Sequence, residues 1–220
     1  MKILIVSGFL GAGKTTFIKR LARNVDQRFA ILENEYGAAG IDGARLGQNR
    51  QGTQKNVWEM TEQCICCIGK KDFAASVLTI ANVVDPEYLI VEPTGVGSLA
   101  RIIENLRQIE YERIQLLSPV TIVDVYSYRR YMAEYPELYQ DQIRSADTII
   151  VSKTEACQAE EKQRIQKFLQ EINPQAKIIT DYASTMTRED YQSLLLGGRY
   201  EKEVQDTQSG DCLLYTSPSP

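Results

Sequence analysis

Short apolar runs rich in β-branched residues alternate along this chain with segments whose apolar positions recur every three or four residues. The runs are Lys2–Val6, Phe29–Leu32, Glu87–Val91, Val120–Val125, Thr148–Val151 and Lys177–Thr180. Near-continuous hydrophobicity over such short stretches marks strands buried on both faces. Between them, Lys14–Asn24 sets Phe17, Ile18 and Leu21 on one side. Ser98–Ile109 does the same with Leu99, Ile102, Ile103, Leu106 and Ile109, and Glu160–Ile172 with Ile165, Phe168, Leu169 and Ile172 before Asn173-Pro174. These spacings predict helices that pack an apolar face on a sheet, with no ligand role for the stripes. Alternating strands and helices predict a doubly wound α/β fold with a mainly parallel sheet flanked by helices. Ligands then gather at the carboxyl ends of the strands.

Composition narrows the class. The chain has 220 residues, of which 43% are hydrophobic, enough for one domain with a full core. A net charge of −4 carries no basic footprint for nucleic acid, and no apolar run is long enough to span a bilayer. The apolar start at Met1–Val6 breaks at Ser7-Gly8 and is followed by Lys14, so it predicts a core strand rather than a secretory signal. The expected location is cytoplasmic. From Gly197 onward the periodicity ends in charged, then Ser- and Pro-containing sequence. The expected domain is therefore 1–196, followed by an irregular tail over 197–220. The closing run Cys212–Pro220 resembles translated sequencing-adapter read-through, and the expectation is a truncated chain.

The first strand-to-helix junction carries the clearest chemistry. Gly8-x4-Gly13-Lys14-Thr15 lies between an apolar run and an amphipathic stretch, the context of a phosphate-binding loop. Gly8, Gly11 and Gly13 let the backbone around Ala12 turn successive N–H groups toward phosphates at the positive end of the following helix. Lys14 bridges the outer phosphates, the Thr15 hydroxyl suits Mg²⁺, and Thr16 continues the loop into the helix. A nucleoside triphosphate is the expected ligand. Glu92, at the end of the run Tyr88–Val91, brings a carboxylate to the same end of the sheet. It either holds Mg²⁺ through water or orients the attacking water; as an alternative it caps the helix after Gly97. Asp124 has two readings as well, a partner behind Mg²⁺ or a helix cap.

Five cysteines, three of them at Cys64, Cys66 and Cys67, stand in a chain without histidine. Three thiolates suit Zn²⁺ or Cu⁺ and leave a coordination position open for release. Cys64 and Cys66 share a face in an extended segment while Cys67 points away, so a turn is needed to gather all three. Redox pairing and core packing are the alternatives. Cys157 is expected to pack in a loop.

Together, Gly8–Thr16, Glu33–Gly37, Gly40–Asp42, Cys64–Cys67, Glu92–Gly95 and Ser152–Glu155 occur in the order seen in CobW-type GTPases, which group with HypB and UreG. The resemblance covers about Lys2 to Thr180. It implies a SIMIBI-class P-loop GTPase domain that couples GTP hydrolysis to handling of a transition metal, with GTP and Mg²⁺ bound and Zn²⁺ or Co²⁺ as cargo. It makes Glu92-x-x-Gly95 the counterpart of an Asp-x-x-Gly switch, with the Gly95 N–H sensing the γ-phosphate. It makes Asp42 an Mg²⁺-side residue and Glu33 a carboxylate that joins the cysteines on the metal. Ala38 stands where the family commonly has a second acid. Ser152-Lys153-Thr154-Glu155 looks like the guanine-reading Asn-Lys-x-Asp, with Ser152 lacking the amide and Glu155 one methylene longer. Such proteins often carry a smaller C-terminal domain, expected to be missing here.

The resulting expectation is a switch whose nucleotide state alters metal affinity and commits the ion to a client metalloprotein or cofactor-assembly protein. Turnover alone is expected to be slow, because neither a His base nor an arginine finger is identifiable. Dimerisation or the client completes the site. A small-molecule kinase is the rival enzyme, though an acceptor pocket and arginine-rich lid are not evident. A metal-storage or redox-sensing module with structural nucleotide is the non-enzymatic rival.

Overall fold

The computed structural model describes residues 1–27, 29–33, 57–61 and 70–201. Among the described residues eight strands form one sheet: β1 (Lys2–Gly8), β2 (Phe29–Glu33), β3 (Val57–Thr61), β4 (Tyr88–Glu92), β5 (Gln115–Leu116), β6 (Val120–Asp124), β7 (Thr148–Ser152) and β8 (Lys177–Ile179). The order is β3-β2-β4-β1-β6-β7-β8, and every pairing is parallel. Strand β1 pairs β4 on one side. On the other it meets β5 at Lys2–Ile3 and β6 at Val6–Gly8. The chain leaves β1 toward β2 and later returns past β1 to β6, so the strand order reverses at β1. In an open parallel sheet, that reversal point opens a crevice beyond the carboxyl ends of the strands.

The helices are α1 (Lys14–Asn24), α2 (Lys70–Val83), α3 (Leu99–Arg107), α4 (Tyr128–Glu134), α5 (Pro136–Arg144), α6 (Ala159–Ile172), α7 (Tyr182–Thr185) and α8 (Arg188–Leu196). Alternation of side chains along the strands divides the core into layers. Ile3, Ile5, Leu89 and Val91 face α2 and α3 with Val77, Leu99, Ile103 and Leu106. Leu4, Val6, Tyr88 and Ile90 face α1 and α8 with Phe17, Ile18, Leu21, Tyr191 and Leu195. A third layer joins β6 and β7 to α4, α5 and α6 through Val123, Ile149, Val151, Tyr139, Ile143, Ile165 and Leu169.

The doubly wound parallel fold matches the sequence expectation, and α1 has the expected bounds. Strands β3 and β5 and helices α2, α4, α5, α7 and α8 lie outside what the periodicity predicted. Beyond α8, Tyr200 is buried; its N–H donates to the Leu116 carbonyl and its hydroxyl to the Ser145 carbonyl. Among the described residues no helix is long and apolar enough to cross a membrane.

Candidate nucleotide site

The loop from Gly8 to Gly13 joins β1 to α1 at the point of strand reversal. Gly8 has φ 143°, and a Cβ there would stand 2.5 Å from the Ile122 carbonyl oxygen on β6. Only glycine lets the chain leave β1 this close to its neighbour. Gly11 and Gly13 follow at φ 70° and 98°, which curls the backbone ahead of α1. The Lys14 ammonium is buried and donates to the Gly8 carbonyl at 3.0 Å. A cation held inside a ring of backbone at a helix N-terminus is the chemistry that receives phosphate oxygens.

Two neighbouring strands bring their ends to this loop. From β4, the Glu92 carboxylate accepts the Thr15 hydroxyl at 3.1 and 3.4 Å through its two oxygens. Hard oxygen donors of this kind fit Mg²⁺, which favours carboxylate, hydroxyl and phosphate oxygens. The helix-capping alternative for Glu92 does not describe its position, because the α3 N-terminus has other partners. Ser98 accepts the Arg101 N–H, and the buried Asp141 accepts the N–H groups of Leu99 at 2.7 Å and Ala100 at 3.3 Å. Burial pushes the Asp141 carboxyl upward, against those amides and the Ser98 hydroxyl. Gly95 lies directly on the phosphate loop, and a Cβ on it would come within 2.4 Å of the Leu10 nitrogen.

From β6 and β7 come Asp124 and Ser152–Glu155. The Ser152 hydroxyl donates to the Ala12 carbonyl at 2.6 Å, tying the end of β7 to the phosphate loop. Lys153 adopts φ 61° and reaches Asp124 at 2.8 Å. Asp124 also accepts the Tyr126 N–H and the Ser127 hydroxyl. Burial alone would raise the Asp124 carboxyl, but Lys153 and those two donors outweigh it and hold it below the usual carboxylate range. Asp124 thus closes the turn that precedes α4 and anchors Lys153, while α4 itself has Ser127 as its N-cap without a side-chain cap hydrogen bond. Glu155 is exposed beside this loop, and Cys157 packs partly against the third core layer.

Some residues near the site carry no sequence signal. The Tyr131 hydroxyl donates to the Leu10 carbonyl at 2.9 Å, and its ring packs on Phe9 at 4.7 Å. Asp181, two residues beyond the adjacent β8, is hydrogen-bonded by Lys162, and by Thr154 of the Ser152–Glu155 segment; the first of these leads in lowering its carboxyl pKa. These contacts join residues far apart in the chain, so no spacing announces them.

The expected metal ligands fall differently. Glu33 closes β2 in register with Glu92 on β4 and with Thr61 on β3. Cys64, Cys66, Cys67 and Asp42 lie outside the described residues. Among the described residues no group of three or more His, Cys, Asp or Glu side chains gathers to hold a metal.

Comparison with known proteins fits this geometry. The zinc chaperone YeiR of Escherichia coli K12 is 30% identical over 178 residues, 80% of this chain and 53% of YeiR. The zinc chaperone CobW of Pseudomonas aeruginosa is 27% identical over 194 residues, 75% of this chain and 52% of that protein. The chain spans about half the length of the curated relatives it matches. Among solved structures, Zn(II)-bound YjiA GTPase from E. coli superposes with a TM-score of 0.65 at 21% identity, covering 96% of this chain and 66% of YjiA. The hydrogenase maturation factor HypB from Archaeoglobus fulgidus gives 0.60 at 18% identity, covering 89% of each chain. Both support the fold. The family model for the CobW/HypB/UreG nucleotide-binding domain matches residues 2–180, and this chain belongs to that family.

Proposed function

We propose that this chain is the GTP-hydrolysing part of a metal-delivery switch. It binds Mg²⁺·GTP at Gly8–Thr16 and handles Zn²⁺ or Co²⁺ as cargo on Cys64, Cys66, Cys67 and Glu33. The observation that carries the reading is the Thr15–Glu92 hydrogen bond across the phosphate loop, with Gly95 lying on Leu10. It brings the two groups that a terminal phosphate and its cation need to one place.

Several residues then have distinct tasks. Lys14 exchanges the Gly8 carbonyl for outer phosphate oxygens. Thr15 and Glu92, with Asp42 on the same side, would hold Mg²⁺, which would supply neutralisation of the charge that develops on the transferred phosphoryl group. Glu92 orients the attacking water, and the Gly95 N–H senses the terminal phosphate. Ser152, Lys153 and Glu155 read the base, with Ser152 spending its hydroxyl on the phosphate loop rather than on guanine. That arrangement leaves the carboxylate of Glu155 as the guanine discriminator.

The link to metal runs through the sheet edge. Glu33 and Glu92 are register partners on adjacent strands, and Cys64 follows Thr61 of β3 by three residues of sequence. A loop that answers the terminal phosphate at Glu92 therefore adjoins the strand that ends in Glu33. Relatives named as zinc chaperones support zinc as the cargo. The client is a metalloprotein or cofactor-assembly protein, and either that client or a second copy of the chain completes the slow intrinsic site. Substitution of Cys66→Ser tests the cargo assignment. Zinc affinity should fall at least about tenfold with GTP affinity within about twofold of wild type. Unchanged zinc binding overturns the thiolate site.

A further inference from the structure

Helix α5 turns two adjacent buried polar side chains toward the segment between β4 and α3. Asp141 accepts the Leu99 and Ala100 amides, as described above. Its neighbour Gln142, 1% exposed, donates through Nε2 to the Gly95 carbonyl at 3.2 Å and to the Gly97 carbonyl at 2.8 Å. Carbonyl oxygens only accept, so two of them fix the amide with its nitrogen toward the loop. The Gln142 Oε1 is then buried with no hydrogen-bond partner among the described residues.

That orphan oxygen is informative. Methionine would fill nearly the same volume without burying an orphan side-chain oxygen, although it would release the Gly95 and Gly97 carbonyls, so packing alone does not call for glutamine here. The amide's gain lies entirely in the two carbonyls it holds. The helix that carries it is itself tied to the sheet, since the Thr121 hydroxyl of β6 donates to the Gln142 carbonyl at 2.9 Å. In a trans peptide the C=O and the following N–H point in opposite directions. Anchoring the Gly95 oxygen therefore also turns the Val96 N–H away from α5. The held peptide is Gly95–Val96, one Cα beyond the peptide that carries the Gly95 N–H, so the amide fixes that N–H by fixing the glycine between them, which lies on Leu10 with no room for a Cβ.

We infer that Gln142 is a positioning residue that pre-sets the Gly95 peptide against the phosphate loop before the triphosphate arrives. It touches no nucleotide and acts through Gly95. The inference rests on the reading that residues 92–97 answer the terminal phosphate. Its consequence is selective: losing the amide weakens what depends on the third phosphate and spares what depends on the first two.

The test compares wild type, Gln142→Met and Gln142→Asn as the full 220-residue chain. Fluorescent GTP and GDP analogues report affinity, single-turnover GTP hydrolysis reports chemistry, and thermal melting reports stability. For Gln142→Met the expected result is hydrolysis slowed at least about tenfold, with GDP affinity within about twofold of wild type, both read well below the melting temperature; the melting temperature itself falls only modestly, as the Gly95 and Gly97 carbonyls lose their donor. Gln142→Asn, which keeps the amide but retracts it by one methylene, should fall between the two. Unaltered hydrolysis, or parallel loss of GTP affinity, GDP affinity and melting temperature, overturns the positioning role. If Gln142→Met does not fold, Gln142→Asn carries the test by the same criteria. A wild-type chain that fails to hydrolyse GTP counts against the proposed function instead, which separates the two failures.

Discussion

Replacing Gly95 by alanine adds one methyl group at the closest approach between the Glu92–Gly97 segment and the phosphate loop. The new carbon would stand 2.4 Å from the Leu10 nitrogen and 2.9 Å from both the Leu10 Cα and the Phe9 carbonyl carbon. Ordinary contact begins at 3.4 Å, so about 1 Å must be found between two pieces of backbone. The phosphate loop resists. Phe9 is wedged among Tyr131, Tyr135 and Tyr139 at ring separations of 4.7, 5.8 and 5.0 Å, and Tyr131 holds the Leu10 carbonyl. The other side resists through the Gln142 hydrogen bonds. Overpacking of this kind costs about 1–3 kcal/mol. A shift of about 1 Å at a reacting centre costs on the order of 100-fold in rate. The assay is GTP turnover with melting temperature measured alongside. Gly198→Ala, where an added Cβ meets nothing within 4 Å, serves as the neutral control. Wild-type turnover in Gly95→Ala would refute the claim that this glycine must lie against the loop.

Lys14→Ala removes the ammonium now held on the Gly8 carbonyl; hydrolysis should disappear, and retained turnover in a phosphate-release assay refutes the phosphate role of the loop. Asp124→Asn tests the ion pair with Lys153 through pH. Because the folded carboxyl is held below its unfolded value of about 3.9, its contribution is complete above that pH and fades as pH falls through the lower folded pKa. The variant should therefore lose melting temperature at neutral pH and less with each step below about pH 4, whereas parallel wild-type and variant curves contradict the assignment.

Much of the fold was legible because burial writes itself into sequence. Strands β1, β2, β4, β6 and β7 lie inside the sheet and are largely apolar, with their charged residues at the ends. Helix α1 was legible twice over, through its apolar face and through the glycine loop before it. Edge strand β3 mixes Val57 and Met60 with Glu59 and Thr61, and β5 has only two residues, so neither forms an apolar run. Helices α4 and α5 are short, and their tyrosines Tyr128, Tyr131 and Tyr139 pack by contact rather than by period. Helix α8 did carry a signal: Thr187 and Asp190 form a capping box, a spacing the sequence displays. At the site, Gly8–Thr15 and Glu92-x-x-Gly95 were legible because phosphate chemistry demands glycine and charge at fixed intervals. Tyr131, Asp141 and Gln142 were not, because they reach the loop from helices that only the tertiary fold brings alongside.

The most direct measurement of the central claim is zinc affinity of the same protein loaded with a non-hydrolysable GTP analogue or with GDP, read by competition with a chromophoric chelator. Coupling through the Glu92–Gly97 segment predicts affinities that differ by at least about tenfold, or about 1.4 kcal/mol. Equal zinc affinity in the two nucleotide states contradicts a metal-delivery switch.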